Sequence, residues 1–306
     1  MALRIGVDIG GTNMRVGVVD DLNIIHEQRT QADFSNICKS NPPQVALASI
    51  VDVIAKALKE ALAAYPQVLT IGIGFPGFID PQSGVLASSP NLPGLSDVDL
   101  AKALSASINR PVVIENDALV AAFGEYALMQ TPTHQGLIYM GLGTGVGGGL
   151  VQAGKALAGE HGFAMEVGHI IVQPQGRLCG CGNHGCLEQY ASATGISQSY
   201  REVTGQELSA HEIAKLAEQG NAHALAAYEI AAKTLAQALS HIQKVIDVEH
   251  VVIGGGVSLA WPLMQSTFDA QLNQDLIPVL RGRVKVSIST TQDQAGIVGA
   301  ALLSAR

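Results

Sequence analysis

The sequence predicts a two-lobed α/β protein, and three observations lead there. At 306 residues the chain exceeds what one ordinary small core organises. Apolar runs of strand type alternate with stretches of helical periodicity along its length. One design, a strand, a glycine turn and a second strand, occurs twice, at 4–20 and 137–151. Apolar residues make up 47% and charged residues 14%, so a large core can form without disulfides.

The formal charge of −8 and the lack of any Lys/Arg run argue against nucleic acid or an anionic membrane as main partner, since both need a basic footprint. No apolar run approaches the ~18 residues of a membrane span. MALR passes directly into the strand-like IGVDIG, without the regions of a signal peptide. Unpaired Cys38 beside a denser thiol cluster fits a reducing compartment, so a cytoplasmic location is expected.

The first hairpin, RIGVDIGGTNMRVGVVD, turns at Asp8, Gly10, Gly11 and Thr12. Amides at the two glycines can approach phosphate oxygens, Thr12 can donate a hydroxyl, and Asp8 can hold Mg²⁺ through water. A plain glycine turn is the alternative, and this segment alone does not choose. After Pro42 and Pro43 a helix is expected over about 44–64. VLTIGIGFPGFID is then a buried strand running into a Pro76-Gly77 turn, 81–93 reads as loop, and 99–107 as helix.

In PVVIENDALVAAFGEY, residues 111–126, a strand ends in Glu115, Asn116 and Asp117 before a helix. Open α/β sheets place ligands at such strand ends, and an Asn-Asp pair is equally good helix-capping chemistry. In the second hairpin Gly143, Thr144 and Gly145 offer amides and a hydroxyl to a further set of phosphate oxygens. No helix signal follows this glycine run, so a dinucleotide fold is not expected.

Further along, 222–247 reads as a long helix with Leu225, Tyr228, Leu235, Leu239, Ile242 and Val245 on an apolar core face. VEHVVIGGGVSL sets Gly254, Gly255 and Gly256 at a strand end, where a flat or anionic ligand could approach the backbone. The strand VKVSIST and the apolar helix AGIVGAALLSA follow.

The densest chemistry is EVGHIIVQPQGRLCGCGNHGCLE, residues 166–188. Cys179, Cys181 and Cys186, with His169 or His184, fit a tetrahedral Cys3His zinc site, and Gly180, Gly182 and Gly185 allow the chain to fold tightly around it. A disulfide or a loop of reduced thiols is the alternative. Four protein ligands close the coordination shell, so such a metal is structural. Glu166 and Glu188, with the second ring nitrogen of His169, suit hydroxyl groups.

The ExGH and CxCGxxGCxE patterns of this stretch, with DIGGT, FPG, ENDA and GLGTGVGGG before them, resemble the ROK family of bacterial sugar kinases and sugar-responsive repressors. The resemblance implies an actin-like ATPase (ribonuclease H-like) fold with a structural zinc loop at 169–186. Its lobes would cover 1–117, completed by a C-terminal helix at 293–306, and 118–292. It implies zinc on His169, Cys179, Cys181 and Cys186, and sugar contacts from Gly77, Asn116, Asp117, Glu166, His169 and Glu188, with Asp117 as catalytic base. It implies that Asp8, Gly10, Gly11, Thr12, Gly143, Thr144 and Gly145 serve the ATP phosphates and Mg²⁺, and that Gly254, Gly255 and Gly256 face the adenosine. Leu119 stands where the family commonly has a second Asn, which questions the support of that loop.

The implied activity is ATP-dependent phosphorylation of a hexose 6-hydroxyl, in the glucokinase branch, with N-acetylmannosamine or N-acetylglucosamine kinase as alternatives and a homodimer as the expected assembly. Asp117 is expected to serve near its ordinary pKa, since the hydroxyl becomes acidic only late in a loose transition state. Repressors of the family carry a helix-turn-helix segment before DxGGT. Seven residues precede Asp8 here, so a kinase is expected rather than a non-catalytic sensor or repressor.

Overall fold

The computed structural model describes residues 3–10, 13–89, 92–130, 135–291 and 294–304. In chain order its elements are β1 (Arg4–Ile9), β2 (Asn13–Asp20), β3 (Asn23–Gln31), α1 (Phe34–Ser40), α2 (Pro43–Ala64), β4 (Ile71–Phe75), β5 (Phe78–Ile79), β6 (Leu86–Ser88), β7 (Ser96–Val98), α3 (Leu100–Ile108), β8 (Val112–Asn116) and α4 (Asp117–Leu128). There follow β9 (Gly136–Leu142), β10 (Val146–Gln152), β11 (Lys155–Ala156), α5 (Glu188–Ala191), α6 (Ala193–Thr204), α7 (Ala210–Glu218), α8 (Ala222–Ile246), β12 (His250–Gly254), α9 (Trp261–Asp275), β13 (Lys285–Ile288) and α10 (Gln294–Leu303). Two compact units result, one of Met1–His134, Gly149–Ala164 and Thr291–Arg306, the other of Gln135–Gly148 and Met165–Thr290.

The first unit contains a sheet in the order β3-β2-β1-β4-β8, with β1, β4 and β8 parallel. The α2 helix starts on Pro43, whose missing N–H would have no helical partner there anyway. Its Ala46, Ile50, Ile54, Leu58 and Ala61 recur at helical spacing and are buried in one core with Leu100 and Leu104 of α3. Asp99 caps α3 by accepting the Lys102 N–H. Within 81–93, expected to be loop, lies β6 of a small sheet β5-β6-β7. Its strands are two or three residues long, too short to display alternation.

A row of glycines receives α10. Gly17, Gly6 and Gly72 are cross-strand neighbours on β2, β1 and β4. A Cβ on Gly6 or Gly72 would overlap the Ile297 or Ala300 carbonyl, and one on Gly17 would overlap the Ile297 side chain. On the helix side, Gly124 of α4 abuts Ala295 and Gly299 of α10 abuts Val120, backbone against backbone. Such contact between α4 and α10 keeps α4 in the first unit, so the units do not part at Asp117. Gly72→Ala should therefore destabilise the protein by about 3 kcal/mol, because the obstruction is backbone and cannot rotate away; urea unfolding followed by circular dichroism would measure it.

In the second unit β12 pairs in parallel with both β9 and β13. The second sheet has the order β11-β10-β9-β12-β13, and the division between the units falls inside β10. Asn221 caps α8, while a Ser209–Glu212 capping box starts α7. Tyr228, Leu235, Leu239 and Ile242 of α8 are buried as expected, but Val245 is 81% exposed. At about 100° per residue it falls roughly a quarter-turn outside the stripe centred on Tyr228 and Leu239.

Candidate active site

In the first unit the parallel strands bring three pieces of chemistry to one end of the sheet. Asp8 lies opposite Gly74, and Phe75 opposite Asn116, so Asp8, the Pro76-Gly77 turn and the Asn116-Asp117 corner share the carboxyl ends of β1, β4 and β8. Asn116 is the N-cap of α4: its Oδ1 accepts the Leu119 N–H at 3.1 Å, and its Nδ2 donates to the Gly77 carbonyl at 3.0 Å. Capping therefore falls to Asn116, which also ties the corner to the Gly77 turn. Leu119 is 5% exposed. It supports the corner by packing inward and through its backbone N–H, so no second Asn is needed for the cap.

Gly77 has φ 153°, and a Cβ there would lie 2.7 Å from Leu86 Cδ1 and 2.9 Å from the Ser88 carbonyl oxygen. Ser89 secures the same turn by donating to the Pro76 carbonyl at 2.6 Å. Sequence reasoning did not single out Ser89.

Asp117, the first residue of α4, is partly buried, and its Oδ1 accepts the Ala118 N–H at 2.8 Å. Burial pushes its carboxyl above the ordinary range, only partly offset by that bond. The expected ordinary pKa is thus not what the fold provides, since the sequence does not reveal how the corner is desolvated. Asp8 is pushed up to about 6 by burial, against the lowering effect of Arg15, its partner across β1 and β2, and with a further rise from the Asp117 charge. Glu115 is raised by burial as well. Gly296 lets the first turn of α10 reach Asp8, where a Cβ would lie 2.6 Å from the carboxyl carbon. Gly10 closes the neighbouring turn by donating to the Asn13 carbonyl at 2.9 Å. The expected phosphate contacts at Gly11 and Thr12 lie outside the described residues.

In the second unit the thiol-rich loop folds as a compact crossing. Gly185 (φ 81°) runs against Gln173, whose N–H and that of Val172 donate to the Gly185 carbonyl at 3.1 and 2.9 Å; a Cβ at Gly185 would overlap the Gln173 carbonyl. This crossing gathers His169, Cys179, Cys181 and Cys186, whose ligand atoms all lie within 4.8 Å of one another. Exposed His184 is not in the cluster. Cys181 and Cys186 sulfurs are 3.7 Å apart, and Cys179 Sγ is 3.6 Å from His169 Nδ1. Sulfurs bound tetrahedrally at about 2.3 Å stand about 3.8 Å apart, so the donor set fits a zinc ion. Burial and the neighbouring thiols push Cys186 up to about 12, while the Asn183 N–H chiefly lowers Cys181. Thiolates so close together need a cation among them.

His169 Nε2 faces the other way, 3.8 Å from Glu166 Oε2. Glu188 begins α5, and its Oε2 accepts the Val146 N–H at 3.0 Å; a Cβ on Gly145 would overlap that carboxylate. The Gly143–Gly145 turn is further held by Ala193 N–H to the Gly143 carbonyl at 2.8 Å and by the Thr194 hydroxyl to the Thr144 carbonyl at 3.0 Å. Gly255 (φ 80°) packs on the Leu142 backbone, which sets the Gly254–Gly256 turn beside this one. Sequence reasoning also passed over Arg177, which anchors the loop. A single arginine two residues before Cys179 in an acidic chain was the available signal.

The model of the ROK family matches residues 4–306. A glucokinase of Thermotoga maritima is 32% identical over 97% of this chain and 95% of its own length. An N-acetyl-D-glucosamine kinase of Escherichia coli is 33% identical over 97% and 98%. The fold matches the crystal structure of a ROK family glucokinase from Streptomyces griseus in complex with glucose and AMPPNP, with a TM-score of 0.83, 31% identity and 99% of both chains covered.

Proposed function

The chain belongs to the ROK family, and on that premise we propose that it is a cytoplasmic, homodimeric kinase that transfers the γ-phosphoryl group of ATP to the 6-hydroxyl of glucose. The observation that carries the reading is Asp117, a desolvated carboxylate at a strand end with its neighbour Asn116 doing the capping. Its role is general base. The 6-oxygen attacks the γ-phosphorus in line as its proton passes to Asp117, and ADP departs. Asp8 would hold Mg²⁺ through water, and the cation would neutralise charge on the phosphates. The Gly10 and Gly143 N–H groups close their own turns on the Asn13 and Gly145 carbonyls, and the backbone of these turns, with Gly145, would lie against the phosphoryl oxygens, with Gly254–Gly256 on the adenosine side. Glu166, Glu188 and His169 Nε2 would read the ring hydroxyls. Zn²⁺ on His169 Nδ1, Cys179, Cys181 and Cys186 would fix the loop that carries them. N-acetylglucosamine is the second candidate substrate, favoured by the relative of that activity at similar identity.

The test is ADP release with Mg-ATP against glucose, mannose, fructose, allose, N-acetylglucosamine and N-acetylmannosamine. Glucose should give the highest kcat/KM; stimulation by none of them would overturn the kinase reading. The pH profile is a second check. Because the fold raises Asp8 from 3.8 to about 6, this group stabilises the protein below its unfolded pKa and loses that contribution as pH rises through about 6. Turnover runs in the opposite sense, since the ionised carboxylates do the work. In consequence, kcat/KM should fall as pH is lowered through about 6, and a flat profile to pH 5 would contradict these roles.

A further inference from the structure

Arg177 ties the thiol-rich loop to the corner between α5 and α6. Its Nη1 donates to the carbonyls of Gln189 at 2.6 Å and Gly195 at 3.2 Å, and its Nη2 to the Ser199 hydroxyl at 3.0 Å. Nε and Nη2 meet the Glu202 carboxylate at 3.0 and 2.6 Å. The guanidinium lies 4.6 Å over the Tyr190 ring, and the Tyr190 hydroxyl accepts the Arg177 backbone N–H at 3.0 Å. Gly176 admits this arrangement, since a Cβ there would overlap that hydroxyl.

These partners are unequal. The Arg177 side chain is 11% exposed and that of Glu202 49%, so solvent screens the ion pair while the carbonyl bonds and the ring contact are sheltered. The sheltered bonds also reach the chemistry. Gln189 follows Glu188 directly, and Gly195 lies one turn into α6, whose Ala193 and Thr194 hold the Gly143 and Thr144 carbonyls.

We propose that Arg177 is a positioning residue that makes the thiol-rich loop, the Glu188 carboxylate and the Gly143–Gly145 turn one rigid block, so that sugar affinity depends on it although it contacts neither sugar nor metal. The link to affinity rests on the kinase reading above, whereas the rigid block does not.

The experiment compares zinc-loaded wild type, Arg177→Met and Glu202→Gln by steady-state kinetics, metal analysis and amide hydrogen exchange. Arg177→Met should raise the KM for the sugar about tenfold or more with kcat within about threefold. It should keep its metal, and it should exchange faster at 143–146 and 188–195. Glu202→Gln, which removes only the exposed ion pair, should match wild type in all three. Equal effects of the two substitutions, loss of metal from Arg177→Met, or unchanged exchange in that variant would overturn the proposal. A wild type that turns over no sugar, with exchange still accelerated in Arg177→Met, would overturn the kinase reading and uphold the block.

Discussion

Asp117→Asn is expected to lower kcat by about a thousandfold while the Kd for glucose stays within about threefold. Asparagine keeps an Oδ1 to accept the Ala118 N–H, so the α4 corner and its tie to Gly77 through Asn116 survive. What is lost is a group able to take the proton. The same change should leave the fold at least as stable as wild type, because burial penalises the Asp117 charge and that charge in turn raises Asp8. An inactive variant with undiminished thermal stability and intact glucose binding by calorimetry is therefore the predicted combination. Near-full turnover would remove Asp117 from the mechanism.

Cys181→Ala should release the metal, lower the melting temperature and weaken sugar binding by about tenfold or more. Cys181 is exposed, so its truncation opens no cavity in the core and the effect reports on coordination. Without an ion, buried Cys186, which burial and the neighbouring thiols push up to about 12, stays a protonated thiol, and the His169 ring loses the partner that would fix its Nδ1. Arg177 still holds one side of the loop, so sugar affinity should fall without global unfolding. Metal analysis of the purified variant decides the point: zinc content equal to wild type would refute the ligand set.

Much of this site is legible in the sequence because it is written in short-range patterns. The three cysteines and their glycines sit within one stretch, and both glycine hairpins declare themselves by strand, turn and strand. The fourth ligand is different. Spacing leaves His169 and His184 equal, and only the crossing at Gly185 carries one of them into the cluster. Likewise the Asn116-Asp117 segment read alone favours a helix cap, and a base enters only with the family resemblance; the hydrogen bonds then give the capping to Asn116. The raised pKa of Asp117 escapes sequence reading because desolvation depends on neighbours from distant segments. The same holds for the glycine row, where Gly6, Gly17 and Gly72 each look like an ordinary strand glycine until α10 lies across them.

That row bears on how the chain is born. Gly6 and Ile297 are far apart in the sequence, so during synthesis the glycine face of β1, β2 and β4 waits uncovered until the residues between them are made. The segment between them includes nearly all of the second unit, which can fold on the ribosome first. Asp8 gains its contact with Gly296 only when α10 emerges. The nascent protein thus completes the Asp8 corner last, after the thiol-rich loop has been made.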